Sequence, residues 1–331
     1  MTNRIGLLLG STTPPEDIAR LAREVEQRGF GELWIPEDYF FLGGIAASAI
    51  ALGATERIPV GIAVVSSMVR HPALLAMETA TLARAYPGRF KPGVGHGVPA
   101  WTAQMGLTVK SPMSALRETL TGVSALLAGE KVDDTGRVFT FNEVALTHPP
   151  AQVPPLYTGV LGDKGIALTG ELADGIVVSV LATPEYVRAT REKLDAAADA
   201  AGRSTRPEQV VLVAMNLTGD PARAAEVREQ IRPVLAFYIG ATGPCPLFAS
   251  IGANDAIADM IARGGAATVA AEMPEEWVDA FSVTGGPDEA RAGIQALLDA
   301  GADKVVVVPV VADNADETLA TVAGLVPDFS S

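Results

Sequence analysis

The chain has 331 residues, with 39 acidic against 25 basic side chains and a formal net charge of −14, which argues against nucleic acid and anionic membranes as principal partners. Apolar residues make up 48% and charged residues 19%, enough apolar material for a large core and too little charge for a disordered chain. The one cysteine, Cys245, excludes a disulfide within the chain and thiolate-metal chemistry, and fits a reducing, cytoplasmic setting.

The opening Met-Thr-Asn-Arg carries no apolar signal core before a first strand at Ile5–Leu9. Pro14–Arg28 spaces Ile18, Leu21, Ala22 and Val25 as a helix does, and Gly29 ends it. Leu33–Ile35 reads as a second strand closing on Pro36-Glu37-Asp38, with helical residues following to Thr55. The uncharged run Tyr39–Thr55 is broken by Gly43, Gly44 and Gly53 and falls short of a membrane span. Ile58–Ser66, Ala73–Tyr86 and Arg89–His96 read as strand, helix and strand, a unit whose strands run parallel. Ser111–Leu127 places Leu116, Leu120, Val123 and Leu127 on one helical face. Gly129–Pro150 alternates Val138, Phe139, Thr140 and Phe141 and reads as a hairpin excursion. Strands at Pro155–Val160, Asp174–Val180 and Val210–Asn216 alternate with helices at Lys164–Leu172 and Pro184–Ala201. Pro221–Tyr238 and Asp255–Arg263 are helical, separated by a Gly/Pro-rich loop at Gly243–Pro246. Thr284-Gly-Gly-Pro reads as a loop before a helix at Asp288–Ala300; the strand Ala302–Val311 and the helical Ala315–Leu325 close the chain.

Strand-like runs alternating with helices predict an α/β protein with a parallel sheet. Eight such units without a dividing linker point to a (β/α)8 TIM barrel spanning 1–331, with an excursion near 129–150 and an insertion near 239–287; an open doubly wound sheet is the alternative. In either architecture a ligand sits at the C-terminal ends of the strands. Those ends hold the chemistry-bearing residues. Gly93-Val-Gly-His-Gly fails the dinucleotide fingerprint because its third glycine position is Val98, and Pro99 argues against a helix starting at once. Its small residues, Gly95 and Gly97 with Ser66 on the neighbouring strand, offer backbone N–H groups to a flavin-like ring or serve tight packing. Gly159, Gly162 and Gly165 open the helix at Lys164 and either gather N–H groups around an anion or form an ordinary turn. Asp38 is a hydrogen-bond acceptor for a ligand or a helix cap. Of three histidines, His71 and His148 precede prolines and read as structural, whereas His96 ends a strand where a titratable imidazole is useful. No metal-ligand cluster and no nucleophile elbow appears.

Gly31-Glu-Leu-Trp-Ile-Pro-Glu-Asp, Arg70-His-Pro-Ala, Pro87-Gly-Arg-Phe-Lys-Pro-Gly-Val-Gly-His-Gly, Gly170-Glu-Leu-Ala-Asp-Gly and Ala300-Gly-Ala-Asp-Lys-Val together resemble the bacterial luciferase-like superfamily of flavin- and deazaflavin-dependent oxidoreductases. The chain is most similar to the coenzyme F420-dependent branch and its methylenetetrahydromethanopterin reductase subgroup. The resemblance implies a barrel with insertions, a homodimer, and a cis peptide at Ala63–Val64 that backs the deazaflavin ring. It makes Asp38 a cofactor contact, Ser66 a hydroxyl near the ring, and His96 and Gly97 backbone contacts. Gly159, Val160, Leu161 and Gly162 fall in the region that holds the phosphate-bearing tail. Tyr39 and Val98 stand where the branch's sugar-phosphate dehydrogenase has a histidine and a glutamate, which disfavours sugar oxidation. Ser111–Leu120 lacks the histidine and tyrosine pair common in FMN-dependent monooxygenases.

The expectation is therefore a coenzyme F420-dependent oxidoreductase that moves a hydride between the deazaflavin C5 and a small organic substrate, reducing a C=N or C=C bond. Asp38, Tyr39 and His96 are the candidates for proton transfer. An FMN-dependent monooxygenase and a non-catalytic flavin-binding relative are the alternatives. Trp101, Phe237, Tyr238 and Phe248 point to an apolar or aromatic substrate or, equally, to core and dimer contacts, with pocket walls from Pro99–Pro112 and Tyr238–Ser250.

Overall fold

A computed structural model describes residues 3–108 and 110–330. Its first strands are β1 (Ile5–Leu8) and β2 (Glu32–Ile35), joined by α1 (Ile18–Gln27) and followed by α2 (Gly44–Ala54). The third stave of the sheet is split into β3 (Val60–Ile62) and β4 (Val65–Ser66), with a cis peptide between Ala63 and Val64, as the resemblance implies. After α3 (Pro72–Ala85) the fourth stave is likewise split, into β5 (Phe90–Lys91) and β6 (Gly93–Gly95), where Pro92 offers no N–H to the ladder. Short helix α4 (Pro99–Gln104) and long helix α5 (Pro112–Leu127) come next. The excursion is an antiparallel hairpin, β7 (Val132–Thr135) with β8 (Thr140–Val144), irregular between Val132 and Asp134. The Glu118 carboxylate on α5 accepts the N–H groups of Arg137, Val138 and Phe139 and pins the hairpin tip.

The parallel order resumes with β9 (Tyr157–Gly159), α6 (Asp163–Leu172), β10 (Gly175–Val178), α7 (Pro184–Ala200) and β11 (Glu208–Leu217). An inserted block follows: α8 (Ala224–Thr242), α9 (Pro246–Ala249), α10 (Asn254–Glu272), α11 (Glu275–Phe281) and β12 (Ser282–Gly285). Helix α12 (Pro287–Asp299), β13 (Lys304–Pro309) and α13 (Ala315–Ala323) complete the chain. Pairing runs β4-β6-β9-β10-β11-β13-β1-β2-β3-β5. Since β3 with β4, and β5 with β6, are halves of single staves, this path returns on itself and closes the barrel, all in parallel register.

Three expectations are corrected. Thr284 and Gly285 belong to β12, a parallel strand on Ala214–Leu217, and not to a loop; Ala214 and Met215 also pair with β13, so β12 takes the edge of β11 where β10 has ended at Val211. Pro99 does not delay a helix but starts one, because its missing N–H falls at the first helical position where no acceptor exists. The segment after Asp38 is a loop to Gly43, and the helix begins only at Gly44.

The floor of the barrel is ionic. Glu32, Lys91, Glu208 and Lys304 sit near the N-terminal ends of the strands, with Lys91 Nζ 3.2 Å from Glu32 and 3.1 Å from Glu208. Trp34 donates to Glu32 at 2.8 Å, and Tyr157 donates to Glu208. The two rings meet edge-to-face across the interior, 5.5 Å between centroids. Gly61 and Gly175 leave the room: a Cβ on either would come within 2.4 Å of the Trp34 or Tyr157 ring. The closed, packed floor confines any ligand to the opposite, C-terminal end.

Candidate active site

The candidate catalytic and cofactor-binding residues read from the sequence all lie at the C-terminal ends of staves two to five. Asp38 and Tyr39 follow β2; Ala63 and Val64 separate β3 from β4; Ser66 ends β4; Gly95 ends β6 and His96 and Gly97 follow it; Gly159 ends β9; Val160, Leu161 and Gly162 lead into α6. These ends are wired together. The Ser66 hydroxyl donates to the His96 carbonyl at 2.8 Å and accepts from Met68 N–H at 3.1 Å, while Ser67 N–H donates to the Gly95 carbonyl at 2.8 Å. Gly97 is left-handed, φ +73°, and a Cβ there would strike Ser66 Oγ at 2.8 Å.

Of the two reasons the sequence left open for the strand-end glycines, the contacts around Val64 favour tight packing. A Cβ on Gly95 would lie 2.6 Å from Val64 Cγ2, on Gly93 2.9 Å from Val64 Cγ1, and on Gly159 3.0 Å from both methyls. Gly95 and Gly159 therefore make a cradle for the Val64 side chain. Gly162 differs: nothing lies within 4 Å of its Cβ position, and it stands as the N-cap of α6, whose first turn receives no side-chain cap.

A cavity of about 1000 Å³ runs from His96 past Val160, Leu161 and Gly162 to the start of α6, with Lys164, Glu185 and Lys193 on its flank. Its far wall is the insertion: Pro244, Cys245, Pro246, Ala249, Ser250 and Asn254. Tyr186 donates to the Leu161 carbonyl at 2.7 Å and fixes that edge. Lys193 is paired with Asp163 at 2.6 Å, whereas Lys164 makes no ion pair among the described residues. Asp38 and Tyr39 do not line this cavity. They border a second one of about 210 Å³, with Glu37, Phe40, Phe41 and Arg70.

Three buried polar atoms at these strand ends have no hydrogen-bond partner among the described residues: the Tyr39 hydroxyl, Ser67 Oγ and His96 Nδ1. A buried polar atom left unmatched costs roughly 1–3 kcal/mol, so three around one barrel mouth fit a polar ligand that satisfies them. Burial pulls the His96 imidazole below its ordinary value, leaving it neutral at pH 7. Burial raises the Asp38 carboxyl, only partly offset by the Ser11 hydroxyl that donates to it. The Tyr39 phenol is raised by burial and then by the Glu37 charge, with Ser66 and Arg70 offsetting part of the shift, so it stays protonated. The Tyr238 phenol is raised by burial and then by the Asp38 charge.

Among the aromatic residues, Trp101 packs edge-on against Tyr39 at 6.4 Å, and Tyr238 packs edge-on against Phe237 at 5.7 Å. Phe248 is fully buried against Phe281 and belongs to the core, and Phe237 is 56% exposed. His71 caps α3 through Nδ1 and stacks between Phe139 and Phe141, a structural role as read from the sequence. From the sequence Ser67 reads with Ser66 as a small polar strand end without a role of its own, and Glu37 reads as second to Asp38, although its carboxylate receives a two-pronged bond from Arg70. Among the described residues no cluster of His, Cys, Asp or Glu is fit to hold a metal, and no helix is long and apolar enough to cross a membrane.

A closed (β/α)8 barrel with a large cavity walled by the insertion and unmatched polar atoms at its C-terminal mouth defines a barrel of the enzyme type that binds a large organic ligand there. The family model described as "Luciferase-like monooxygenase" matches residues 1–304, and the chain belongs to that family. It is 27% identical over 319 residues to a 5,10-methylenetetrahydromethanopterin reductase of Methanolobus tindarius, covering 95% of this chain and 96% of the relative. Similarity to an F420-dependent glucose-6-phosphate dehydrogenase of Microbacterium testaceum is 30% over 220 residues, 62% of this chain and 65% of the relative. The solved coenzyme F420-dependent tetrahydromethanopterin reductase of Methanopyrus kandleri superposes over 100% of both chains with a TM-score of 0.85 at 25% identity.

Proposed function

We propose that this chain is a coenzyme F420-dependent oxidoreductase acting on a small organic substrate, as a C=N or C=C reductase. The observation that carries it is the cavity from His96 to the open N-terminus of α6, where the buried His96 Nδ1 has no hydrogen-bond partner among the described residues; the unmatched Tyr39 and Ser67 hydroxyls lie at neighbouring strand ends, outside the lining of that cavity. The relatives named as F420-dependent enzymes support the choice of cofactor. Coenzyme F420 supplies two-electron hydride chemistry at its deazaflavin C5. Ala63 and Val64, held by Gly95 and Gly159, would back the ring, with Ser66, His96 and Gly97 at its edge. Val160, Leu161 and Gly162 would hold the anionic tail at the α6 N-terminus, where unpaired backbone N–H groups and the helix dipole favour negative charge. Asp38 orients ligand through its free acceptor sites. The Tyr39 hydroxyl holds a proton at neutral pH, and neutral His96 presents Nδ1 as donor or acceptor.

The reading of the whole chain as one working unit rests on the cavity, which the barrel and the 239–287 insertion build jointly. A homodimer is proposed from Ile50, Leu74 and Met77, exposed apolar residues on α2 and α3, where α2 carries no charged residue. With a single cysteine, a cytoplasmic setting is the accompanying proposal. The family model's own description keeps FMN-dependent oxygen chemistry as the second reading. Anaerobic assay of reduced F420 oxidation against 5,10-methylenetetrahydromethanopterin and a panel of imines and enones separates the two: turnover without oxygen supports hydride transfer, and turnover only with FMN and oxygen overturns it.

A further inference from the structure

Asp38 and Tyr39 sit on a loop, Asp38–Gly43, whose tip is open to solvent: Phe40 is 65% and Phe41 56% exposed. Within the loop, Phe41 N–H donates to the Asp38 carbonyl at 2.9 Å, and Ser11 donates to the Asp38 carboxylate. The base of the loop is held otherwise. The Glu37 side chain, 2% exposed, accepts Gly44 N–H through Oε2 at 2.9 Å. Arg70 donates to the same carboxylate through both terminal nitrogens, Nη1 to Oε1 at 2.5 Å and Nη2 to Oε2 at 2.9 Å. Its Nε faces Glu78 at 3.5 Å. Arg70 lies just past Ser66, on the segment whose Ser66 hydroxyl holds the His96 carbonyl. One fork thus joins the loop bearing Asp38 and Tyr39 to the strand end that fixes His96.

Capping α2 alone does not require this arrangement. The Gly44 N–H needs one acceptor, which a serine or threonine hydroxyl supplies without burying charge. A buried ion pair is a poor source of stability, because desolvation cancels much of the attraction. What a two-pronged guanidinium–carboxylate bond adds is a fixed relative orientation of the two segments that carry it. We propose that Arg70, acting through Glu37, is a positioning residue that sets Asp38 and Tyr39 against the His96 end of the site; the proposal rests on the reading above that these residues face cofactor and substrate.

The test uses the full chain and the charge-balanced pair variant Glu37→Gln with Arg70→Met, since either change alone strands a buried charge. Glutamine can still accept the Gly44 N–H. Chymotrypsin cleavage after Phe40 or Phe41, measured on the apoprotein, reads loop opening without any cofactor, and a coenzyme F420 fluorescence titration reads the site. The pair variant is expected to melt within a few degrees of wild type, to be cut about tenfold faster at the loop, and to bind F420 about tenfold more weakly, the scale expected for losing a charge-assisted hydrogen bond. Arg70→Lys, which keeps the charge and loses the fork, should fall between the two in both readouts. Wild-type cleavage rate in the pair variant overturns the proposal. So does faster cleavage with unchanged F420 affinity, since the fork would then hold the loop and not the site. If wild type binds no F420, the cofactor reading falls, and the cleavage rates still decide whether the fork sets the loop.

Discussion

Substituting Gly159→Ala tests whether the strand-end glycines exist to seat Val64. The new Cβ would stand 3.0 Å from both Val64 methyls and 3.6 Å from Val64 Cβ, and every other neighbour is no closer than that. Val64 has nowhere to retreat, because its methyls already fill the Cβ positions of Gly93 and Gly95. Overpacking of this kind costs about 1–3 kcal/mol. Val64→Ala removes both methyls from a half-buried site at about 1 kcal/mol. In Gly159→Ala with Val64→Ala no approach closer than 3.6 Å remains, and contacts at that distance are ordinary. The pair should therefore be no less stable than Val64→Ala alone, a coupling of about 1–3 kcal/mol in urea unfolding of the four proteins. Costs that add to within about 0.5 kcal/mol would refute the cradle.

Lys91→Met leaves Glu32, 1% exposed, and Glu208 short of a partner in the barrel floor and should cost about 3–5 kcal/mol in urea unfolding at pH 7; an unchanged midpoint would contradict the ionic floor. Asp38 carries a carboxyl raised by burial, so its contribution to stability is present at low pH and is lost as pH rises through the folded value. Asp38→Asn should accordingly melt no lower than wild type at pH 7 while binding F420 more weakly, and a lower melting temperature with intact binding would reverse the assignment. His96 is shifted the other way: the folded protein resists protonating it, so stability falls as pH drops below the ordinary histidine value. Melting of His96→Asn between pH 7 and 5 should show a shallower acid loss than wild type; identical slopes would remove the buried neutral imidazole from the account.

The alternation of apolar runs and helical spacing carried the barrel, because each parallel stave is a continuous apolar segment and each helix a periodic one. The hairpin at 132–144 was legible from its alternation, and the strand-end residues from the small and polar character of Ser66, Gly95, His96 and Gly97. Other features depended on non-local packing. Gly159 reads the same whether it faces a ligand or Val64, and only the fold brings Val64 against it. Strand β12 is four residues bounded by Gly-Gly-Pro, too short for a periodic signal, and it exists through pairing with the extended C-terminal half of β11. Glu37 and Arg70 lie 33 residues apart, and no local pattern announces their fork. The cavity wall at 244–254 comes from an insertion whose sequence carries no motif pointing back to α6.

The central claim is that the cavity and strand ends accept a deazaflavin. Fluorescence titration of purified apoprotein with coenzyme F420, with FMN in parallel, tests it most directly. The account predicts saturable F420 binding at least about tenfold tighter than FMN, a difference of about 1.4 kcal/mol, weakened in Gly159→Ala. Preference for FMN would contradict the F420 assignment and turn the site toward oxygen chemistry, and binding of neither would contradict the reading of the cavity as a cofactor site.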